Sequence, residues 1–329
     1  MDNVSVIIPT RNRIKSLSRA LKSIYNQTLL PKEIIIIDSS DNKLTINKLP
    51  NCPKEISINI IHSKPSVCKQ RNIGIDKSSN DYILLCDDDI EFDRDYIVTV
   101  KELFKTSKLD IISGLILEKD NKNQWVSSSN VPKTIKLLYA YIFGLPLYCN
   151  IVDKPPKGFI NRFLIRKYKA NHNHITKAGW PVMTQMESPS FTTTIYGIGA
   201  AMFKSVSLKN NKYDPAFYHR GIGDNYDLAI RINSKNGILV TTQTKALHHK
   251  EPSNRFKKSE AYYYRGLALF YILTKNSIFN WKNKLYFIWS LLGDSFLFLI
   301  TRRLAYFKAN AKLISSIIFR KSLYKSDKM

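Results

Sequence analysis

The sequence predicts an α/β protein: a mostly parallel sheet flanked by helices, followed by a C-terminal helical segment. Three observations predict it. Short, almost wholly apolar runs recur at Val4–Pro9, Glu33–Asp38 and Tyr82–Cys86, stretches of helical periodicity alternate with them, and polar residues collect where the runs end. Strands that are apolar on both faces belong to sheets covered on both sides.

Val4–Pro9 is β-branched and ends in proline, as a buried strand entering a turn does. From Asn12 to Gln27, the residues Ile14, Leu17, Leu21, Ile24 and Tyr25 fall at helical spacing, with lysine and arginine on the other faces. Glu33–Asp38 reads as a second buried strand, Ile56–His62 as a third and Tyr82–Cys86 as a fourth. Cys68–Lys77 and Tyr96–Phe104 read as helices. Residues 120–190 read as an insertion with loops and one helix near Thr134–Leu145. Strand character returns at Phe191–Phe203. A helix over Asn225–Asn236, capped by Gly237, then precedes a strand at Ile238–Thr242.

Ligands of such sheets bind at the carboxyl ends of the strands. Thr10-Arg11-Asn12-Arg13, Asp38, Arg71 and Asp87-Asp88-Asp89 all fall there. Three consecutive carboxylates after a buried strand are costly unless a cation neutralises them, and oxygen ligands select hard ions such as Mg²⁺ or Mn²⁺. A solvated turn leading into a helix is the plain alternative for the same residues.

Hydrophobic residues make up 44% of the 329 and aromatics 12%, which excludes a disordered chain. Cys52, Cys68, Cys86 and Cys149 form no C-x-x-C pair and read as reduced thiols. The first residues lack the basic flank and apolar run of a signal peptide, so the expected location is the cytoplasm. A net charge of +25 admits nucleic acid, anionic membrane or phosphorylated small molecules as partners. No zinc-finger spacing, helix-turn-helix or RNP-type motif accompanies it, so nucleic acid is not expected.

From Lys250 onward there are 16 Lys and Arg against 4 Asp and Glu. Two strongly apolar, aromatic runs lie in this stretch, Tyr262–Leu273 and Leu285–Ile300. The second is shorter than the roughly 20 residues of a membrane span and contains Asp294. An interfacial helix pair on an anionic membrane is expected, with ordinary core packing as the alternative.

Taken together, Val-Ser-Val-Ile-Ile-Pro-Thr-Arg-Asn-Arg13, the strand ending in Asp38, Arg71-Asn-Ile-Gly74 and Leu-Leu-Cys-Asp-Asp-Asp89 resemble family 2 glycosyltransferases of the GT-A fold. Gly221-Ile-Gly-Asp-Asn-Tyr-Asp-Leu-Ala-Ile-Arg231 resembles that family's acidic helix start, and Ala246-Leu-His248 its late histidine. The resemblance implies a GT-A domain over 1–255, leaving 256–329 as the basic, apolar helical segment. It implies an inverting transfer from a nucleotide-diphosphate sugar, most commonly a UDP sugar, to a glycan or lipid-linked acceptor in polysaccharide synthesis. The enzyme would then lie peripherally at the cytoplasmic face of the inner membrane.

Carried over by position, Pro9, Thr10, Arg11, Arg13, Asp38, Arg71 and Asp88 line the nucleotide side. Asp87, Asp89 and His248, with His249 as its neighbour, take the Mn²⁺ or Mg²⁺ ion. Gly199, within Gly197-Ile-Gly199, lies beside the acceptor or belongs to a β-bulge, and Trp180 is either a sugar-stacking or a core residue. One departure stands out. The family's helix start is usually Glu-Asp, with the second acid as base, and Asn225 occupies that second position. An amide cannot usefully accept a proton, so Asp224 or Asp227 takes the role, or the chain is a non-catalytic scaffold. For Asp224 a plain helix N-cap is the structural alternative.

Overall fold

A computed structural model describes residues 3–171, 173–217, 221–232, 237–253, 256–319 and 324. The path begins β1 (Val4–Thr10), α1 (Ile14–Tyr25), β2 (Glu33–Asp38), β3 (Ser57–His62), α2 (Val67–Lys77), β4 (Tyr82–Leu85), β5 (Ile90–Phe92), α3 (Tyr96–Thr106), β6 (Ile111–Lys119) and β7 (Trp125–Val126). It continues through α4 (Thr134–Phe143), β8 (Leu147–Tyr148), α5 (Phe159–Asn171), β9 (His174–Ile175), β10 (Pro181–Met183), β11 (Ser190–Thr193), β12 (Ala201–Lys204) and α6 (Ser205–Asn210). The last elements are α7 (Asp224–Ile232), β13 (Ile238–His248), α8 (Lys258–Lys275), α9 (Trp281–Ile300) and α10 (Leu304–Ile318).

The chain forms two compact units, each discontinuous in sequence. The first comprises Met1–Ser127, Glu187–Asp214 and Leu228–Ser253, and the second Ser128–Met186, Pro215–Asp227 and Asn254–Met329.

In the first unit a mixed sheet runs in the order β11-β13-β6-β12-β4-β1-β2-β3, with β5 added on β13 and β7 on β6. The half built from β4, β1, β2 and β3 is wholly parallel, and β6 pairs β13 in parallel. Only apolar side chains suit both faces of such strands, and β1 is buried along all seven residues. Helix α1 covers one face with Leu17, Ala20, Leu21 and Ile24, the one-sided spacing of an amphipathic helix. These side chains join Val6, Ile8 and Ile36 in a single core. Each such side chain contributes roughly 1.5–3 kcal/mol on burial, which fixes the strands whose ends carry the polar residues.

The second unit packs α4 against α5 and α9, and α8, α9 and α10 against one another, beside a small sheet ordered β8-β10-β9. The stretch expected to be an insertion with loops therefore holds a second helix, α5, and all three strands of the small sheet. The C-terminal segment holds three helices: after Arg302, whose φ is 53°, α10 returns the chain against α8 and α9. The run Phe191–Phe203 is two strands, β11 on β13 and β12 between β4 and β6. The expected end of α7 at Asn236 lies outside the described residues, while Gly237 has the left-handed φ of 78° expected of a cap. Among the described residues no helix is long and apolar enough to cross a membrane.

Candidate active site

Strand register builds the site. Thr10 pairs with Asp38 and Asp38 with His62, so three adjacent parallel strands end in polar side chains on one row. Beyond β4, Cys86 N still donates to Ile7 O at 3.0 Å, which delivers Asp87, Asp88 and Asp89 beside the end of β1.

The three carboxylates have three different partners. Asp88 is 4% exposed, accepts the Thr10 hydroxyl at 2.8 Å and pairs with Arg13 at 3.1 Å. Burial pushes its carboxyl up to about 6 even against the pull of Arg13 and Thr10. Arg13 is anchored in turn by the hydroxyl and carbonyl of Ser253. Asp87 pairs with Arg71 at 2.5 Å, and the guanidinium lies 5.1 Å above the Tyr213 ring. Reciprocal hydrogen bonds of 2.9 Å between Asn72 and the Tyr213 backbone fix that ring. Asp89 accepts Glu251 N at 2.9 Å and stands 3.4 Å from His248 Nε2.

His248, at the end of β13, sits between Ile90 of β5 and Glu118 of β6. Its Nδ1 lies 3.1 Å from Glu118, whose other oxygen is 2.5 Å from Lys250. Burial pulls the imidazole pKa down, but hydrogen bonds to Asp89 and Glu118 and the charges of Asp89 and Asp87 outweigh it and raise it to about 9. His249 turns instead to Glu91, at 2.8 Å.

Asp38 is fully buried. Its two oxygens accept Ser40 N at 3.0 Å and Leu44 N at 2.9 Å, and His62 approaches at 3.2 Å. Burial works to raise its pKa, yet these hydrogen bonds together hold it below the usual carboxylate range. Asp38 thus shapes the loop after β2. Arg11 is more exposed and pairs with Asp41 across that loop at 3.4 Å, while Pro9 is buried within β1. Gly199 touches the triad directly: its carbonyl accepts Asp87 N at 2.8 Å.

The remaining expected residues lie in the second unit. Gly221 and Gly223 have φ of 58° and 92°, and a Cβ at 223 would come within 2.6 Å of Ala268, so the turn into α7 needs glycine. Asp224 opens α7 at 4% exposure. Asp227, 1% exposed, is 2.8 Å from Lys275 Nζ, whose ammonium also lies over the Phe217 and Tyr271 rings. Trp180 is 4% exposed, donates Nε1–H to Ser290 Oγ at 2.9 Å and packs on Phe287. Its ring is a core element of this unit.

Sequence reasoning missed Glu118, Glu251, Ser253 and Tyr213. Each meets its partner only through strand pairing or loop return far along the chain.

Among the described residues no three His, Cys, Asp or Glu side chains converge as a ready cation cage. Asp87 and Asp89 supply the oxygen donors that suit a hard divalent ion all the same, and His248 would join them on losing its proton. Such ions often take one or two protein carboxylates and complete their shell with water and substrate phosphate.

Comparison with known proteins bears on this arrangement. The model of "Glycosyl transferase family 2" matches residues 5–169. The uncharacterized glycosyltransferase YwdF of Bacillus subtilis (strain 168) is 34% identical over 122 residues, 36% of this chain and 45% of that one. The GalNAc(5)-diNAcBac-PP-undecaprenol beta-1,3-glucosyltransferase of Campylobacter jejuni is 29% identical over 124 residues, 36% of this chain and 40% of that one. The aligned part spans under half of either relative. The crystal structure of S. aureus TarS 1-349 in complex with UDP-GlcNAc superposes with a TM-score of 0.51 at 13% identity, covering 95% of this chain and 81% of that one, a likeness of fold. The matched residues 5–169 hold β1 through the aspartate triad, half of the chain, and on that ground the protein belongs to glycosyl transferase family 2.

Proposed function

We propose that the chain is an inverting, metal-assisted glycosyltransferase that moves a sugar from a nucleotide-diphosphate donor to a hydroxyl of a glycan or lipid-linked saccharide in polysaccharide synthesis. The observation that carries the reading is the division of labour in the aspartate triad: Asp88 to Thr10 and Arg13, Asp87 to Arg71, and Asp89 to His248. A purely structural turn has no need of two buried or half-buried arginines and a histidine on three consecutive carboxylates.

In this reading Thr10, Arg13, Asp88 and the loop shaped by Asp38 hold the nucleoside. Arg71 exchanges part of its pairing with Asp87 for the donor phosphates. Asp89, with Asp87 and His248 beside it, would hold a divalent ion, whose charge would offset the negative charge developing on the departing diphosphate. Asp224 takes the proton of the acceptor hydroxyl as its oxygen bonds to the anomeric carbon and the bond to the diphosphate breaks, inverting the configuration. Asp227 pairs with Lys275, and a carboxylate held by an ammonium is a poor proton acceptor. A UDP donor is supported by the UDP-GlcNAc complex of the TarS fold relative, and a lipid-linked acceptor by the name of the C. jejuni relative. Such an acceptor places the enzyme peripherally at the cytoplasmic face of an anionic membrane.

Asn225 favours a second reading, a non-catalytic scaffold of the same fold. Release of nucleoside diphosphate from a panel of UDP, GDP and dTDP sugars, with Mn²⁺ and short saccharide acceptors, separates the two. Turnover that disappears in Asp224→Ala supports the enzyme. Donor binding without turnover in the unaltered chain supports the scaffold.

A further inference from the structure

Helix α9 is apolar on both sides. Its inner face buries Phe287, Leu291 and Phe298 together with its polar residues: Ser290 accepts Trp180, and Asp294 accepts the Tyr262 hydroxyl at 2.7 Å. Its outer face carries Trp281, Leu285, Trp289, Leu292, Phe296 and Leu299, each between 45% and 65% exposed, in one stripe of three- and four-residue steps. A helix on an aqueous surface is polar outward; one that is apolar all round is covered on its outer side.

The stripe does not stop at α9. Helix α4 lies close against it because position 293 is glycine: a Cβ there would come within 2.5 Å of the Phe143 ring. Tyr139 donates to Gly293 O at 2.6 Å, Phe143 stacks on Trp289 at 4.8 Å, and Trp289 Nε1–H donates to Ile142 O at 3.1 Å. Ile142 and Tyr141 of α4 are themselves exposed, and Tyr141 meets Phe163 of α5 edge-on at 6.3 Å. Phe163 is 46% exposed. Exposed aromatic and aliphatic side chains thus connect across α5, α4 and α9, larger than the scattered apolar residues of ordinary surfaces.

The rim is basic. Lys167 places its ammonium 5.6 Å above Phe163, Lys282 lies 5.8 Å above Trp281, and Arg302 and Arg303 are exposed just past α9. Aromatic rings with lysine stems beside them suit the headgroup level of a bilayer, where the ring is half-apolar and the ammonium reaches water and anionic lipid. A second copy of the chain would bring the same basic rim against itself.

We infer that this three-helix face is an interfacial docking surface for an anionic lipid bilayer, seated in the headgroup region without crossing it. The inference rests on the peripheral membrane reading above and names the surface that carries it, including residues far from the C-terminal segment.

The test is flotation of the full-length chain with vesicles of phosphatidylcholine alone or with about 30 mol% phosphatidylglycerol, whose anionic surface attracts basic segments. The expected result is binding to the anionic vesicles that weakens with salt. Leu285→Ser, Phe296→Ser and Phe163→Ser should each lower the partition coefficient about tenfold, with an unchanged thermal midpoint showing that the fold is intact. Equal binding by Phe163→Ser and the unaltered chain would overturn the three-helix face while leaving membrane association standing. No flotation of the unaltered chain would overturn both, as would a dimer in sedimentation that Phe296→Ser dissociates in the absence of vesicle binding. Nucleotide binding measured without vesicles reads the donor site independently of all these outcomes.

Discussion

Gly199 leaves the space that the Asp87 carboxylate occupies: a Cβ at position 199 would lie 2.2 Å from Asp87 Oδ2. Gly199→Ala is therefore expected to displace that carboxylate and the Arg71 pairing it makes. The overpacking should cost about 1–3 kcal/mol, read by urea denaturation. Nucleotide-diphosphate affinity should fall at least tenfold, more than so modest a loss of stability explains, because the donor side is rearranged. Unchanged affinity would mean that Asp87 is not part of the donor site.

Asp227 and Lys275 pair a buried carboxylate with a half-buried ammonium, so removing one partner strands the other. Asp227→Asn or Lys275→Met should each destabilise the chain by about 3–5 kcal/mol, whereas the double replacement should cost clearly less than the sum of the singles. Asp224→Asn keeps the side chain's size and its capacity to accept hydrogen bonds at the start of α7, so stability should change by about 1 kcal/mol or less. Its transfer rate should fall by about 10²–10⁴. Thermal denaturation and turnover measured on the same preparations check both statements.

The first hundred residues were legible because buried parallel strands announce themselves. Val4–Pro9, Glu33–Asp38 and Tyr82–Cys86 are apolar almost throughout, and the strands found match them within a residue or so. Beyond residue 120 the helices α4, α8 and α9 still follow the runs Thr134–Leu145, Tyr262–Leu273 and Leu285–Ile300, but α5 and the faces that the helices bury were not readable. Helices α5 and α9 carry apolar side chains on exposed faces as well as buried ones, so no single stripe marks their inner side. Glu118 was unreadable for another reason. It faces His248 across 130 residues of chain only because β6 pairs with β13, a pairing that the local pattern around Glu118 does not encode. The departure at Asn225, by contrast, is plain in the sequence, and the structure adds what bears on it, namely that Asp227 is held by Lys275.

Glu118 helps to hold the His248 imidazole in its charged form. The folded-state pKa of about 9 lies above the ordinary 6.5, so the histidine adds stability that is fully present below about 6.5 and is lost as pH rises through 9. Glu118→Gln should lower the His248 pKa by about one unit and flatten that alkaline decline. Ring-proton NMR titration gives the first quantity and urea denaturation from pH 6 to 10 the second.

Asp294 gives the same sign in a more acidic window. Burial raises its carboxyl to about 6 despite the hydrogen bond from Tyr262, so the folded chain holds this proton more tightly than the unfolded one between about pH 4 and 6. Its contribution to stability falls as pH rises through that window and levels off above it. Asp294→Asn should remove this slope and stabilise the chain at pH 8 by about 1–3 kcal/mol, measured by urea denaturation at pH 4, 6 and 8.

The donor site itself is tested most directly by thermal stabilisation with UDP, GDP, dTDP and CMP, each with and without Mn²⁺. A ligand at a hundredfold excess over its dissociation constant adds about 2.7 kcal/mol to the native state. A metal-assisted donor site should give a metal-dependent rise with one nucleoside diphosphate, UDP foremost, that disappears in Asp89→Ala. No rise with any of the four, or a rise that Asp89→Ala leaves untouched, would contradict it.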